Sequence, residues 1–289
     1  MNTRIALFFD LFKLRIGLVI GFTALAGLAV TPGAAPAGWR VALLALAVVV
    51  SSAAAGAFNQ YVERDIDARM ARTKRRPFVT GRLTHSPRWL ALIALMCGGS
   101  VVVAALATNG LAALYTFLGA FFYGVVYTVW LKRRTWLNIV IGGLAGSFAV
   151  MAGAAAVAPG ALDTAPLWLA IVLFLWTPPH FWSLAIACRA DYQAAGVPML
   201  PAVVGDARAA RAVLAGTVLL VAASLVPIGH GLSWLYAITA AASGFYFLQK
   251  SIALVRAPGR KTAMANFHAS LVQLSLLLTA AIVDATLLG

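Results

Sequence analysis

Charge is what this sequence has least of. Only 10% of its 289 residues are Asp, Glu, Lys or Arg, against about a quarter in soluble domains. The polar surface that would cover a water-soluble fold is missing. Acidic residues are scarcer still: eight, against 22 Lys and Arg, for a net charge of +14. That excess does not point to nucleic acid, because the basic residues sit in short clusters between apolar runs, the pattern that orients membrane proteins. Cysteine is nearly absent. Cys97 and Cys188 lie far apart without CxxC spacing, which excludes a disulfide framework and a thiolate metal centre. A cleaved signal peptide is not expected, since Asp10, Lys13 and Arg15 break up any apolar core near the start. The first residues read instead as an interfacial stretch leading into a first span.

What is abundant is hydrocarbon: 62% of residues are hydrophobic and the mean hydropathy is +0.92. At about 20 apolar residues per crossing, eight to ten helices are possible. Cut at charges and at Pro/Gly turns, the runs number nine: Ile16–Ala35, Val41–Tyr61, Trp89–Ala107, Leu111–Trp130, Leu137–Ala158, Leu167–Ala187, Ala209–Ile228, Leu232–Leu248 and Ala263–Leu288. The expectation is an all-α polytopic membrane protein forming one domain over residues 1–289. Thr108-Asn109-Gly110 and Gly229-His230-Gly231 supply the polar, Gly-containing chemistry of tight hairpins. With the N-terminus cytoplasmic, 21 of the 22 basic residues fall in inner segments and only Arg40 outside, so the positive-inside rule fixes the orientation.

Two inner connections are long, residues 62–88 and 188–208, beyond the length at which loops commonly lack a function of their own. Five of the eight acids lie in them: Glu63, Asp65, Asp67, Asp191 and Asp206. Asp10 is on the N-terminal stretch, and Asp163 and Asp284 lie towards the outer side.

In Asn59-Gln-Tyr-Val-Glu63-Arg-Asp65-Ile-Asp67, a continuing helix places Asn59, Glu63 and Asp67 along one face at four-residue steps. Stacked carboxylates repel, and a bound divalent cation reverses that sign. Mg²⁺ takes one or two carboxylates together with phosphate oxygens, and the Asn59 amide adds a neutral ligand. Asp65, offset by two residues, points elsewhere and pairs with an Arg. The basic run Arg72-Thr-Lys-Arg-Arg76 follows at once, and acid followed by base suits a metal-bridged diphosphate held by guanidiniums. The plainer alternative is a set of topogenic charges. The Asn/Glu/Asp spacing at a membrane-helix end argues against it.

The second constellation is Trp176-Thr-Pro-Pro-His180-Phe-Trp182, leading to Arg189, Asp191 and Tyr192. Pro178-Pro179 predicts a break or kink in the sixth span, with His180 beside it and two Trp side chains placed to stack on a flat ring. The alternative is an interior histidine with a hydrogen-bonded partner. The third runs from Tyr123 through Tyr127 and Trp130 to Lys132, Arg133 and Arg134. An interfacial aromatic belt explains its rings, and Lys132 is a candidate phosphate contact. Asn266, His268 and Gln273 form an unassigned polar stripe in the last span, and His85 and His230 show no ligand spacing.

Asn59-x₃-Glu63-x₃-Asp67-x₂-Met70-x-Arg72-Thr73-x₂-Arg76-Pro77 resembles the first motif of the UbiA-type intramembrane prenyltransferases. The Trp176–Trp182 block, Asp191-Tyr-x₂-Ala-Gly196-Val-Pro198-Met199-Leu200-Pro201 and Leu131-Lys-Arg-x-Thr135-x₂-Asn138 resemble the haem-farnesylating branch of that family, and the likeness spans about residues 10–285. It implies nine helices around a central cavity open to lipid. It further implies farnesyl diphosphate bound with Mg²⁺ at Asn59, Glu63 and Asp67, assisted by Arg72, Arg76 and Lys132. Haem B would be the acceptor, and Trp176, His180, Trp182, Tyr127, Arg189, Asp191 and Tyr192 would meet the haem or the prenyl chain. Haem A synthase or terminal-oxidase assembly factors are the implied protein partners, and a bacterial inner membrane the implied location. One departure stands out. Most of the wider family carries a second Asp-rich motif after the sixth span, where this sequence offers His180, Arg189 and the single Asp191, so the carboxylates for a second fully carboxylate-bound Mg²⁺ are not there and whether one binds stays open. Arg189 or Arg208 would instead face the haem propionates. Two rivals are a relative acting on an aromatic or quinone precursor and a secondary transporter. The Trp-Thr-Pro-Pro-His block argues against the first, and the lack of an internal repeat against the second.

Overall fold

The computed structural model describes residues 3–160 and 164–288, with side chains from residue 7 onward; Asp163 and the Arg4 side chain lie outside the described residues. Every element among the described residues is helical. A short α1 (Thr3–Leu11) turns at Lys13 into α2 (Leu14–Ala29), which leads to α3 (Gly38–Val62) and the six-residue α4 (Arg64–Arg69). Next come α5 (Pro87–Ala107) and α6 (Gly110–Phe121), the latter continuing as a π-helix over Phe122–Leu131. A rod jointed at Gly143 follows, made of α7 (Asn138–Gly142) and α8 (Leu144–Val157), then α9 (Ala165–Ala187). Two short helices, α10 (Arg189–Ala194) and α11 (Leu200–Val204), precede α12 (Asp206–Leu225), whose end tightens to a 3₁₀ turn at Val226–His230. The chain closes with α13 (Trp234–Arg256) and α14 (Arg260–Leu287).

Eight of these rods are long and apolar enough to cross a membrane. The expected first span, Ile16–Ala35, is shorter than its apolar run: α2 is helical for 16 residues and ends at Ala29. Pro32 and Pro36 bring no backbone donor, and Gly33 between them takes φ +133°. The expected break at Pro178-Pro179 is also absent, and α9 runs through both prolines. Phe174 and Leu175 lose their amide donors there. The proline bulk is met by Gly216 of α12, where a Cβ would lie only 3.4 Å from Pro179 Cδ. Hydroxyls brace the same stretch, Thr177 Oγ1 donating to the Leu173 carbonyl at 3.0 Å and Ser183 Oγ to that of Pro179 at 2.6 Å.

Each long rod packs on the next in the chain, and α14 returns to α2, so the bundle closes on itself, with α8 and α9 also reaching across its middle. The closest approach joins α2 to α8, where a Cβ on Gly27 or Gly153 would collide with the facing backbone. Small residues at helix contacts and large apolar ones outside, such as Leu106 at 80% exposure, suit a fold whose outer solvent is hydrocarbon. Both hairpin turns are made as their composition predicts. Asn109 caps α6 by accepting from Leu111 and Ala112 amides, and Gly231 takes φ +104°. Asp284 of α14 is buried and caps α13 from outside its chain segment, accepting from Ser233 N, Ser233 Oγ and Tyr236 N.

Candidate active site

The end of α3 carries the acidic face. Although α3 and α4 are separate elements, the Glu63 amide donates to the Asn59 carbonyl at 3.0 Å and the Asp67 amide to that of Glu63 at 2.8 Å. The four-residue rise is therefore kept across the joint, and Asn59, Glu63 and Asp67, all buried, share one face. Asp65 leaves that face, as its two-residue offset predicts. It forms a bidentate pair with Arg133 at 2.8 Å, and the guanidinium holds its carboxyl below the usual range.

Each of the three buried residues meets a cation from a different part of the fold. Lys13 Nζ donates to Asn59 Oδ1 at 2.8 Å, Lys132 Nζ to Glu63 Oε2 at 2.5 Å, and Arg76 to Asp67 Oδ2 at 2.6 Å. Burial raises the Asp67 carboxyl in spite of Arg76. Burial and the nearby Arg76 charge together pull the Lys13 amine down to about 7. Glu63 Oε1 is buried with no hydrogen-bond partner among the described residues.

Lys13 reaches the site through an unusual backbone. It is the one non-glycine residue of positive φ among the described residues, at φ 47°, ψ 43°. Gln60, next to Asn59, braces that bend by donating to the carbonyls of Asp10 and Leu11. The π-helix supplies the opposite wall. Its wider turn sets hydrogen bonds at five-residue steps, Lys132 N to Tyr127 O and Thr128 Oγ1 to Tyr123 O. Tyr123, Thr128 and Lys132 thus all face α3: Tyr123 OH accepts from Lys13, Thr128 Oγ1 accepts from Asn59 Nδ2, and Tyr127 stacks on Tyr123 at 5.7 Å. Arg72 is exposed, has no side-chain partner among the described residues, and lies within electrostatic reach of Asp67, Tyr127 and Tyr192.

The donors fit a divalent cation of the Mg²⁺ type. Two carboxylates, one amide oxygen and an unpartnered Glu63 Oε1 leave coordination positions for water and phosphate. Among the described residues no cluster of three His, Cys, Asp or Glu is found.

The α9 residues form a second group. His180 is sandwiched between Trp176 at 4.0 Å and Phe267 at 4.4 Å, with Nδ1 against Ser270 Oγ at 2.6 Å. Trp176 Nε1 donates to the Ser270 carbonyl. Trp182 does not join them, and its ring lies beside Trp136 at 6.3 Å. Tyr192 is buried in the apolar cluster under α10 and α11. Asp191 accepts from the backbone amides of Ala71 and Arg72 at 3.2 and 3.3 Å, tying the second long connection to the first. Arg189 faces Asp206 at 3.5 Å, and Arg208 is exposed. Of the polar stripe of α14, His268 is exposed and the other two are interior: Asn266 bridges Ser183 and Ser251, while both amide atoms of Gln273 are buried with no hydrogen-bond partner among the described residues.

Sequence reasoning counted Lys13 only as a topogenic charge and passed over Thr128. Nothing in the local pattern marks the left-handed bend or the π-helix that aim them.

Residues 20–277 match the family model of the UbiA prenyltransferase family, and the chain belongs to that family of multi-pass membrane prenyltransferases. Among its relatives, protoheme IX farnesyltransferase 2 of Paramagnetospirillum magneticum is 56% identical over the full length of both chains. The protoheme IX farnesyltransferase of Granulibacter bethesdensis is 40% identical, covering 95% of this chain and 89% of its own. Among solved structures, a UbiA homolog from Archaeoglobus fulgidus bound to DMAPP and Mg²⁺ superposes with a TM-score of 0.73 at 15% identity, covering 93% of this chain and 98% of that one. The apo UbiA homolog from Aeropyrum pernix K1 gives 0.73 at 21% identity, covering 99% and 100%. These likenesses establish the fold.

Proposed function

We propose that this chain transfers the farnesyl group of farnesyl diphosphate to a vinyl group of haem B, with addition of water, giving haem O and diphosphate. The observation that carries the donor half is the buried Asn59–Glu63–Asp67 face ringed by Lys13, Lys132 and Arg76. The acceptor half rests on the full-length likeness to protoheme IX farnesyltransferases. Mg²⁺ held by Asn59, Glu63 and Asp67 would neutralise the diphosphate as a leaving group. Lys132, Arg76 and the unpaired Arg72 take phosphate oxygens and so favour heterolysis of the allylic C–O bond, the electron pair leaving with diphosphate. The vinyl π pair then forms the new C–C bond. Water adds to the resulting cation beside the porphyrin ring and loses a proton. Ring faces such as Tyr127 and Tyr123 stabilise the farnesyl cation while it lasts, worth about 2 kcal/mol or more when desolvated.

On the acceptor side we assign Trp176, His180, Trp182 and Tyr192, all buried on α9 and α10, to the wall beside the haem, and Arg189 and Arg208 to its propionates. Asp191 acts there by holding the Arg72 loop. We place the site on the cytoplasmic side of a bacterial inner membrane, with nine crossings if α2 spans. Membranes carrying the chain, given haem B, farnesyl diphosphate and Mg²⁺, should yield haem O by mass spectrometry. Prenylation of an aromatic acid or quinone precursor, with no haem O, overturns this reading.

A further inference from the structure

We infer that Thr128 is a positioning residue that sets which way round the Asn59 amide sits, keeping its oxygen on the metal side of the site and its nitrogen away. The inference rests on the donor-site reading above and extends it to a residue outside the ligand set. An amide has two ends of similar size and opposite character, an oxygen that accepts and a nitrogen that donates. Only the oxygen can ligate a divalent cation. The shape of Asn59 does not decide between the ends, so its neighbours must. Lys13 Nζ, a donor only, lies 2.8 Å from Oδ1, and Thr128 Oγ1 lies 3.1 Å from Nδ2. These two holds are not equivalent. A metal on Oδ1 takes the place of Lys13, whose grip on the amide is lost when it is needed. Thr128 grips the other end and keeps it.

A hydroxyl can donate as well as accept, so a threonine alone would tolerate either end of an amide. The π-helix removes that freedom. Thr128 Oγ1 donates its one proton to the Tyr123 carbonyl at 2.8 Å, five residues back, where a threonine in an α-helix returns to the third or fourth. With the proton spent, the oxygen facing α3 can only accept, and it admits the Asn59 nitrogen alone. Asn59 and Thr128 are 2% and 1% exposed, so bulk water cannot take over either bond. A reversed amide would set two oxygens against each other in a buried place, each short of a donor. The wider turn thus has a chemical purpose: it ties off a hydroxyl and leaves an acceptor behind Asn59.

The test reads Mn²⁺ uptake by electron paramagnetic resonance, using the full-length protein in detergent with saturating farnesyl S-thiolodiphosphate, which does not ionise readily. Thr128→Val keeps the shape and offers no acceptor, and it should weaken Mn²⁺ by about tenfold. Thr128→Ser keeps the hydroxyl and should bind as the wild type does. An Asn59→Asp background separates orientation from packing, because its two oxygens are alike and there is no end to choose. Thr128→Val should cost nothing there. An equal loss in both backgrounds would make Thr128 a packing residue of the π-helix, and wild-type binding by Thr128→Val would mean that the amide needs no holding. Either result overturns the inference and leaves the donor site standing. If the wild type takes up no Mn²⁺ with the thiolodiphosphate, the donor-site reading itself fails. Should Thr128→Val not fold, or Asn59→Asp take up no Mn²⁺, Thr128→Ala against Thr128→Ser carries the comparison, and equal binding by those two overturns the inference.

Discussion

Glu63 and Asp67 share a buried face and Asp65 does not, which sets up a controlled comparison of three neighbouring acids. Glu63→Gln and Asp67→Asn each remove one charge with little change of shape. Loss of one electrostatic stabiliser of a charged transition state typically costs about 10²–10³ in rate, or roughly 3–4 kcal/mol. Steady-state haem O formation should fall by that much in both, with the protein still folded. Asp65→Asn breaks only the exposed pair with Arg133, worth about 0–1 kcal/mol at most, and should retain near-normal turnover. Equal damage from all three would remove the site assignment. His180 makes a different case, since its Nδ1 and both ring faces are already occupied by Ser270, Trp176 and Phe267. It acts through the rings it holds apart, so His180→Ala should let Trp176 and Phe267 shift, weaken haem binding by roughly tenfold, equivalent to about 1.4 kcal/mol, and leave farnesyl diphosphate binding unchanged. Haem titrations that match the wild type would make His180 a packing residue. Asn59, Glu63 and Asp67 were readable in the sequence because four-residue spacing survives whatever the rest of the fold does. Lys13 was not, because a charge in a sequence says nothing of the backbone that aims it.

Elements set the next limit. A pair of prolines in an apolar run reads as a break, yet α9 passes through them because Gly216, Thr177 and Ser183 supply the space and the hydrogen bonds. That help comes partly from another helix, and no local pattern contains it. The π-helix is likewise invisible locally, although it decides that Tyr123, Thr128 and Lys132 face α3. Two predictions belong here. Asp191 holds the Ala71 and Arg72 amides, so Asp191→Ala should loosen that loop, raising KM for farnesyl diphosphate more than it lowers kcat; the opposite split would place Asp191 in the chemistry. Gly153 has no room for a Cβ against Ala24. Gly153→Val should therefore destabilise the bundle by about 1–3 kcal/mol or more, seen as a lower Tm in detergent, and an unchanged Tm would mean that α2 and α8 do not approach so closely.

At the scale of the molecule, hydropathy and the basic clusters were enough to read a helical membrane bundle and most of its rod boundaries to within a few residues, although the run ending at Leu248 continues as helix to Arg256. They overstated only the first run, where Pro32 and Pro36 stop the helix before the apolar composition does. The orientation is testable as a whole. A reporter fused after Gly289 should read the non-cytoplasmic side and one inserted near Arg75 the cytoplasmic side. The same side for both would mean an even number of crossings between Arg75 and Gly289, against the seven long helices found there. The closure of α14 onto α2 has a consequence for synthesis. The first apolar helix to leave the ribosome packs on α3 and α8 early but gains its last neighbour only when α14 arrives, and His180 waits equally long for Ser270. Through most of translation the nascent bundle is an open arc with one unsealed flank in the lipid. The donor face, complete once Lys132 has emerged, is therefore built well before the wall that would enclose an acceptor.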